Sequence, residues 1–259
     1  MNIIKEFCKV CGSDNPVNNG KPVFHVNGSK YNVLECRKCS LQWSSPMPSE
    51  DELTMHYNTY YNRRFKRILK TSLKFLRDLL TLKEVREYYF LKKVLEYTNV
   101  KKFLDYGCGE GEMLLLGRKF GWECTGTEYS EELKDKFVTL GINVIVATDF
   151  ENSKLKQSYF DLIILKHLIE HIKDIPSFLN QAKKYLSDNG VLAIKTPSNS
   201  SFRAKTRTAN WHFVNPPEHL WSFNTLNFKL LLENNGFEVL SIKNSLLVDE
   251  LICYAKVRN

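Results

Sequence analysis

The chain has 259 residues, 43% hydrophobic and 25% charged, a composition that excludes a disordered or fibrous polypeptide. No apolar run reaches the roughly 18 to 20 residues of a membrane span, and the opening MNIIKEFCKVCG lacks the apolar core of a secretory leader, so a cytoplasmic location is expected. The net charge of +8 is concentrated in residues 1–100, where 17 basic side chains face 10 acidic ones; such a half suits RNA, an acidic membrane surface or a phosphorylated substrate.

Residues 1–45 read as a small module. Seven cysteines are an odd number, which argues against a disulfide framework. Four of them, Cys8, Cys11, Cys36 and Cys39, form C-x2-C-x24-C-x2-C, the spacing of a zinc ribbon. Four thiolates close a tetrahedral shell, so the expected Zn2+ is structural, holding about 45 residues too few to build a core alone. Residues 46–99 read as a helical linker or lid. Ser49 is a candidate N-cap, with Glu50, Asp51 and Glu52 in the first turn. From Asn62 to about Tyr97, Phe65, Ile68, Leu69, Leu73, Leu76 and Leu80 recur at helical steps, opposite a basic face running from Arg63 to Arg77.

After Val100 short apolar strands alternate with helices. Lys102–Tyr106, Glu123–Thr127, Asn143–Ala147, Asp161–Lys166 and Val191–Thr196 are the strands; Met113–Phe120, Glu131–Leu140 and Ile175–Leu186 are the helices. That alternation predicts an α/β fold with a mostly parallel sheet covered on both faces. Asn224–Asn235 reads as a helix closed by Gly236, and the tail as two further strands about an Asn244-Ser245 turn. The first strand runs into Asp105-Tyr106-Gly107-Cys108-Gly109-Glu110-Gly111, where glycines permit a tight turn and close approach of a ligand to the backbone. Glu128 ends the next strand, where an acid can accept both hydroxyls of a ribose.

LDYGCGEG, TEYS, ATDFEN, YFDLIILKHLIEHIKD and LSDNGVLAIKTPSN follow one another in an order that resembles the class I S-adenosylmethionine-dependent methyltransferases over about residues 100–257. The resemblance implies a Rossmann-like class I methyltransferase sheet, mostly parallel with an antiparallel strand near the C-terminus, as an S-adenosylmethionine-binding domain over 100–259. It places Asp105, Tyr106, Gly107 and Gly109 along the methionine part of the cofactor, Glu128 on the ribose, Tyr129 beside the adenine, Asp149 and Phe150 about its ring, and Lys166 at the mouth of the site. A dinucleotide-binding dehydrogenase is the rival for the same glycines, but nothing downstream resembles a hydride-transfer site.

His167-Leu168-Ile169-Glu170-His171 spells H-x-x-E-H, a zinc-peptidase pattern that needs a helix. It directly follows a strand here, where this methyltransferase group often carries Glu-His, so the peptidase reading is rejected. Methyl transfer to a hydroxyl needs a positioned acceptor and a proton acceptor; His171 is the first candidate for the base and His167 the second. Trp211 to Phe223 resembles the acceptor segment of small-molecule methyltransferases in bacterial polysaccharide and natural-product pathways, which nominates His212, His219 and Trp221 for substrate contact. The expected activity is methyl transfer to a small polar acceptor, a hydroxyl of a sugar, sugar nucleotide or phosphorylated metabolite of surface-glycan synthesis. The alternative is an RNA methyltransferase gripping nucleic acid with the ribbon and basic helix.

Overall fold

The computed structural model describes residues 6–14, 16–18, 24–26, 28–56, 82–129, 137, 141–146, 154–207, 215–245 and 248–258. The expected basic face at 62–77, the helix at Glu131–Leu140 apart from Phe137, and Asp149, Phe150 and His212 lie outside them. No helix among the described residues is long and apolar enough to cross a membrane.

The chain opens with four short strands, β1 (Pro16–Asn18), β2 (Phe24–Val26), β3 (Ser29–Cys36) and β4 (Gln42–Ser45). Helix α1 (50–56) follows. It starts where the sequence places it, in a reciprocal cap: the Ser49 amide donates to the Glu52 carboxylate (2.7 Å) and the Glu52 amide donates to Ser49 Oγ (3.2 Å). Helix α2 (Lys83–Val94) buries Glu87, Phe90, Leu91 and Val94 on one face.

The alternating part comes next: β5 (Lys102–Tyr106), α3 (Glu112–Lys119), β6 (Glu123–Glu128), β7 (Asn143–Val146), β8 (Phe160–Lys166), α4 (Ile175–Tyr185) and β9 (Leu186–Pro197). The short helix α5 (Phe202–Arg207), β10 (Trp221–Ser222), α6 (Thr225–Asn234), β11 (Phe237–Asn244) and β12 (Glu250–Val257) complete it. Helix α4 is set by sequence: Asp174 accepts from the Ser177 amide at 3.1 Å, and Ile175, Leu179, Ala182 and Tyr185 form its buried stripe. Helix α6 starts at a capping box between Asn224 and Asn227.

Seven strands form one sheet in the order β11-β12-β9-β8-β5-β6-β7. β7, β6, β5, β8 and β9 are parallel, and β12 runs antiparallel to both β9 and β11. This is the expected α/β class with the antiparallel strand in its expected C-terminal place. Leu162, Ile163, Ile164 and Leu165 are all fully buried on consecutive positions of β8, as they must be in a strand covered on both faces. β5, β8 and β9 end together, so Tyr106, Lys166 and Pro197 bring the segments that follow them to one edge of the sheet.

The N-terminal strands do not close on themselves. Their sheet runs β1-β3-β4-β10, with β2 on the other flank of β3, so its last strand comes from beyond residue 220. Cys8, Val10, Cys36, Cys39, Leu41 and Trp43 share one hydrophobic cluster with Leu220, Trp221, Phe223 and Phe228. The physical reason is size: so few residues bury too little apolar surface alone and borrow a neighbour's core.

Candidate active site

The turn after β5 is folded by its own backbone. The amides of Gly107 and Cys108 both donate to the Thr127 carbonyl, at 3.0 and 2.8 Å. Gly107 and Gly109 have φ of +75° and +52°, a region costly for residues with a Cβ. A Cβ on Gly107 would press on Leu168 at 3.1 Å, whereas one on Gly109 would project into open space. That space is bordered by Glu128, whose carboxylate is aimed by two amides, Gly109 N (2.7 Å) and Tyr129 N (3.0 Å). Tyr129 itself stands 43% exposed at the rim, a flat aromatic surface beside a buried acid. The arrangement can take a nucleoside, with hydroxyls on the carboxylate and a base against the ring.

Asp105 lies beneath this turn, 2% exposed. Burial pushes its carboxyl up to about 7, against the pull of the Lys166 cation and with Glu128, Glu87 and Glu112 pushing the same way as burial. A buried acid poised at neutrality is complementary to a ligand ammonium, which would restore its charge.

Lys166 ends β8 and reaches Glu112 at 3.2 Å and Glu87 at 3.5 Å. Burial alone would lower the Lys166 amine, but the two carboxylates hold it above the ordinary lysine value. Lys195, fully buried on β9, donates to Glu87 at 2.7 Å. Arg86 donates to Glu250 at 2.9 Å, and Lys83 pairs with Glu112. Helix α2 is thus pinned over the strand ends by charges of both signs. Sequence reasoning passed over Glu87, Lys195 and Glu250; the one available signal was a lysine directly after the apolar run Val191–Ile194, since a buried charge demands a partner.

The three described histidines of the site play different parts. His167 adopts φ +51°, a strained conformation of the kind found at functional sites. Its Nε2 donates to Glu250 Oε1 at 3.1 Å and its Nδ1 lies 3.5 Å from Glu170 Oε1. Burial would lower its pKa, yet the two carboxylates raise it to about 9. Both ring nitrogens face carboxylates, an arrangement that favours the protonated ring. His171 differs. Its Nδ1 donates to the Glu218 carbonyl at 2.7 Å, so in the neutral ring Nε2 carries the lone pair. Burial first, and the neighbouring His219 in addition, hold it below the ordinary histidine value. His219 packs edge-on against it, ring centroids 4.7 Å apart.

Glu170 is buried beside them. Its Oε2 accepts from Thr196 Oγ1 at 2.9 Å, while Oε1 takes no hydrogen bond from the described residues and has His167 Nδ1 at 3.5 Å. Burial would raise this carboxyl, but His167, His171 and His219 bring it to about 2. Glu170, His171 and His219 offer atoms within 4.8 Å of one another, a grouping that could also hold a cation. Trp221 is buried: it pairs with Trp43 across β4 and β10, and its Nε1 donates to the Ile172 carbonyl at 2.8 Å. The Asn215-Pro216-Pro217-Glu218 turn carries His219 toward His171.

The four cysteines converge as their spacing requires. Cys8 Sγ lies 3.6 Å from Cys39 Sγ and Cys11 Sγ 3.5 Å from Cys36 Sγ, and all four sulfurs are within 4.8 Å of one another. Sulfurs bound tetrahedrally at about 2.3 Å stand about 3.8 Å apart, so the set fits zinc and is far too wide for disulfides. The hydrogen bond shared by Cys8 and Cys39 holds the Cys8 thiol well below the ordinary value.

A family model described as "Methyltransferase domain" matches residues 56–242. A curated relative, "Probable polyketide synthase 10" of Dictyostelium discoideum, is 31% identical over 86 residues; the match covers 30% of this chain and 4% of that protein's length. The Burkholderia thailandensis 1,6-didemethyltoxoflavin-N1-methyltransferase, solved with 1,6-didemethyltoxoflavin and S-adenosylhomocysteine, aligns with TM-score 0.63 at 12% identity, over 92% of this chain and 99% of its own. A SAM-dependent methyltransferase of Archaeoglobus fulgidus aligns with TM-score 0.53 at 19% identity, over 71% of this chain and 99% of its own. At these identities the likeness is one of fold.

Proposed function

Because this chain belongs to the methyltransferase-domain family, we propose that it moves a methyl group from S-adenosylmethionine to a hydroxyl of a small polar acceptor. The acceptor class is a sugar, sugar nucleotide or phosphorylated metabolite of surface-glycan synthesis. The observation that carries the hydroxyl reading is His171, a neutral imidazole whose Nδ1 is occupied by the Glu218 carbonyl, leaving Nε2 as proton acceptor.

The residues divide the work. Asp105 would take the cofactor's ammonium, and Glu128, already aimed by two amides, its ribose hydroxyls. Tyr129 would flank the adenine, with Asp149 and Phe150 beside it; Gly107 and Gly109 leave room for the chain between, and Lys166 closes the mouth. Bound there, S-adenosylmethionine supplies an electrophilic methyl on a sulfonium that departs as a neutral thioether. His171 Nε2 accepts the hydroxyl proton as the oxygen's electron pair forms the new bond to carbon. Cationic His167, held between Glu170 and Glu250, fixes the local field rather than the proton. His219 and His212 would orient the acceptor. Cys8, Cys11, Cys36 and Cys39 would hold a structural Zn2+.

The test uses S-adenosylmethionine labelled on its methyl group, incubated with the protein and extract of cells lacking the gene. Label in the small-metabolite fraction is the expected result. Label in RNA would replace this acceptor class with nucleic acid and make the ribbon an RNA-binding element.

A further inference from the structure

The cysteine knuckle is joined to the proposed transfer site by hydrogen bonds linked through short stretches of chain. The Cys39 carbonyl accepts from two side-chain amides, Asn227 Nδ2 at 3.0 Å and Asn224 Nδ2 at 3.1 Å. Their oxygens are committed as well, Asn227 Oδ1 accepting from the Asn224 amide and Asn224 Oδ1 from the Asn227 amide, at 3.0 and 2.9 Å. Asn227 is fully buried, so neither end of its amide can exchange a partner for water. Asn199 adds a second clasp, donating to the Ser40 carbonyl at 3.0 Å and to the Ser222 carbonyl at 3.1 Å.

From that anchor the series passes into the site. β4 templates β10, with Trp43 opposite Trp221 and the Ser44 amide donating to the Leu220 carbonyl at 2.9 Å. The Leu220 amide donates in turn to the Glu170 carbonyl at 2.9 Å. Glu218, two residues earlier, gives the carbonyl that fixes His171 Nδ1. The glycine turn and Glu128 are held by the β5–β6 pairing instead and take no part in this series.

We propose that Asn227 and Asn224 are positioning residues for methyl transfer: by holding the Cys39 carbonyl they set β10 and the Glu218 carbonyl, and through them the direction in which His171 presents its Nε2. The ribbon is then a wall of the acceptor half of the site. Its metal, whose presence rests on the reading above, acts at a distance on the acceptor and leaves the cofactor half alone. The Asn227–Cys39 link itself can be tested without assuming the metal.

Asn227→Asp keeps the shape and the acceptor for the Asn224 amide but deletes the donor to Cys39. Hydrogen exchange should rise by about tenfold at the Leu220 and Ser44 amides, as loss of one buried bond allows. Exchange at the Gly107 and Cys108 amides should stay as in the wild type. S-adenosylhomocysteine affinity by calorimetry should stay within about twofold, while label transfer to the metabolite extract falls by about tenfold. Stripping the metal with a chelator should reproduce the same pattern. If Asn227→Asp does not fold, Asn224→Asp removes the other donor at a half-buried position and is read the same way. Unchanged exchange at Leu220 would overturn the proposal, as would a rise spread equally over the glycine turn or a parallel loss of S-adenosylhomocysteine binding. If wild type labels no acceptor at all, the hydroxyl-transfer reading fails while the exchange arm still decides the positioning.

Discussion

The protonation of Asp105 should make cofactor affinity depend on pH in a direction set by its burial. With its carboxyl near 7, about half the ligand-free molecules carry a proton there at neutral pH. An ammonium seated against it favours the carboxylate, so binding selects the ionised form and expels the proton. The apparent dissociation constant then scales as one plus ten to the power of the Asp105 pKa minus the pH. With a value near 7 that factor is about 11 at pH 6 and about 1.1 at pH 8, so S-adenosylhomocysteine should bind about tenfold more weakly at pH 6. At pH 7 about half a proton should leave per site, visible as a difference in calorimetric enthalpy between phosphate and Tris buffers. Asp105→Asn should flatten the profile. Stability should move the other way: the folded value lies above the unfolded one, so the ligand-free protein loses stability as pH rises from about 4 through about 7. A dissociation constant that is level between pH 6 and 8, with no proton released, would refute the assignment of Asp105 to the ammonium.

His171→Ala should leave S-adenosylhomocysteine binding intact and lower turnover by roughly two to four orders of magnitude; near-normal turnover would mean that another group takes the proton. Gly107→Val places a branched side chain at φ +75° with its Cβ 3.1 Å from Leu168, a strain of about 1–3 kcal/mol that should weaken cofactor binding by roughly 5- to 150-fold in calorimetry. Lys195→Met leaves Glu87 without its closest cation and should cost about 3–5 kcal/mol, a fall of about 10 °C in melting temperature. Pairing it with Glu87→Leu should restore most of that; a double variant as unstable as the single one would contradict the ion-pair account.

Much of the fold was legible because its signals are local. Lys102–Tyr106 is a strand on the expected residues, and the helix over 225–234 starts at the Asn224 cap and ends before Gly236, each fixed by neighbours within a few positions. The glycine turn was legible for the same reason: Gly107, Gly109 and Glu128 lie at the ends of adjacent parallel strands, and their spacing alone brings them together. The convergence of the four cysteines was legible in the spacing of their two C-x-x-C pairs.

Only the tertiary structure decided the rest. H-x-x-E-H gave two histidine candidates, ranked but with their partners unseen, and Glu250, 83 residues downstream on β12, is the acid that lies against His167. Trp221 was nominated for substrate contact, and only the structure pairs it with Trp43 on β4. Residues 1–45 read as a separate unit, and their sheet is completed by β10. Each of these depends on a partner 80 or more positions away in the chain. Periodicity and spacing report which face of an element is buried and where it ends; which distant carboxylate, carbonyl or strand lies against that face is fixed when the sheet is assembled, by registers that a local pattern does not carry.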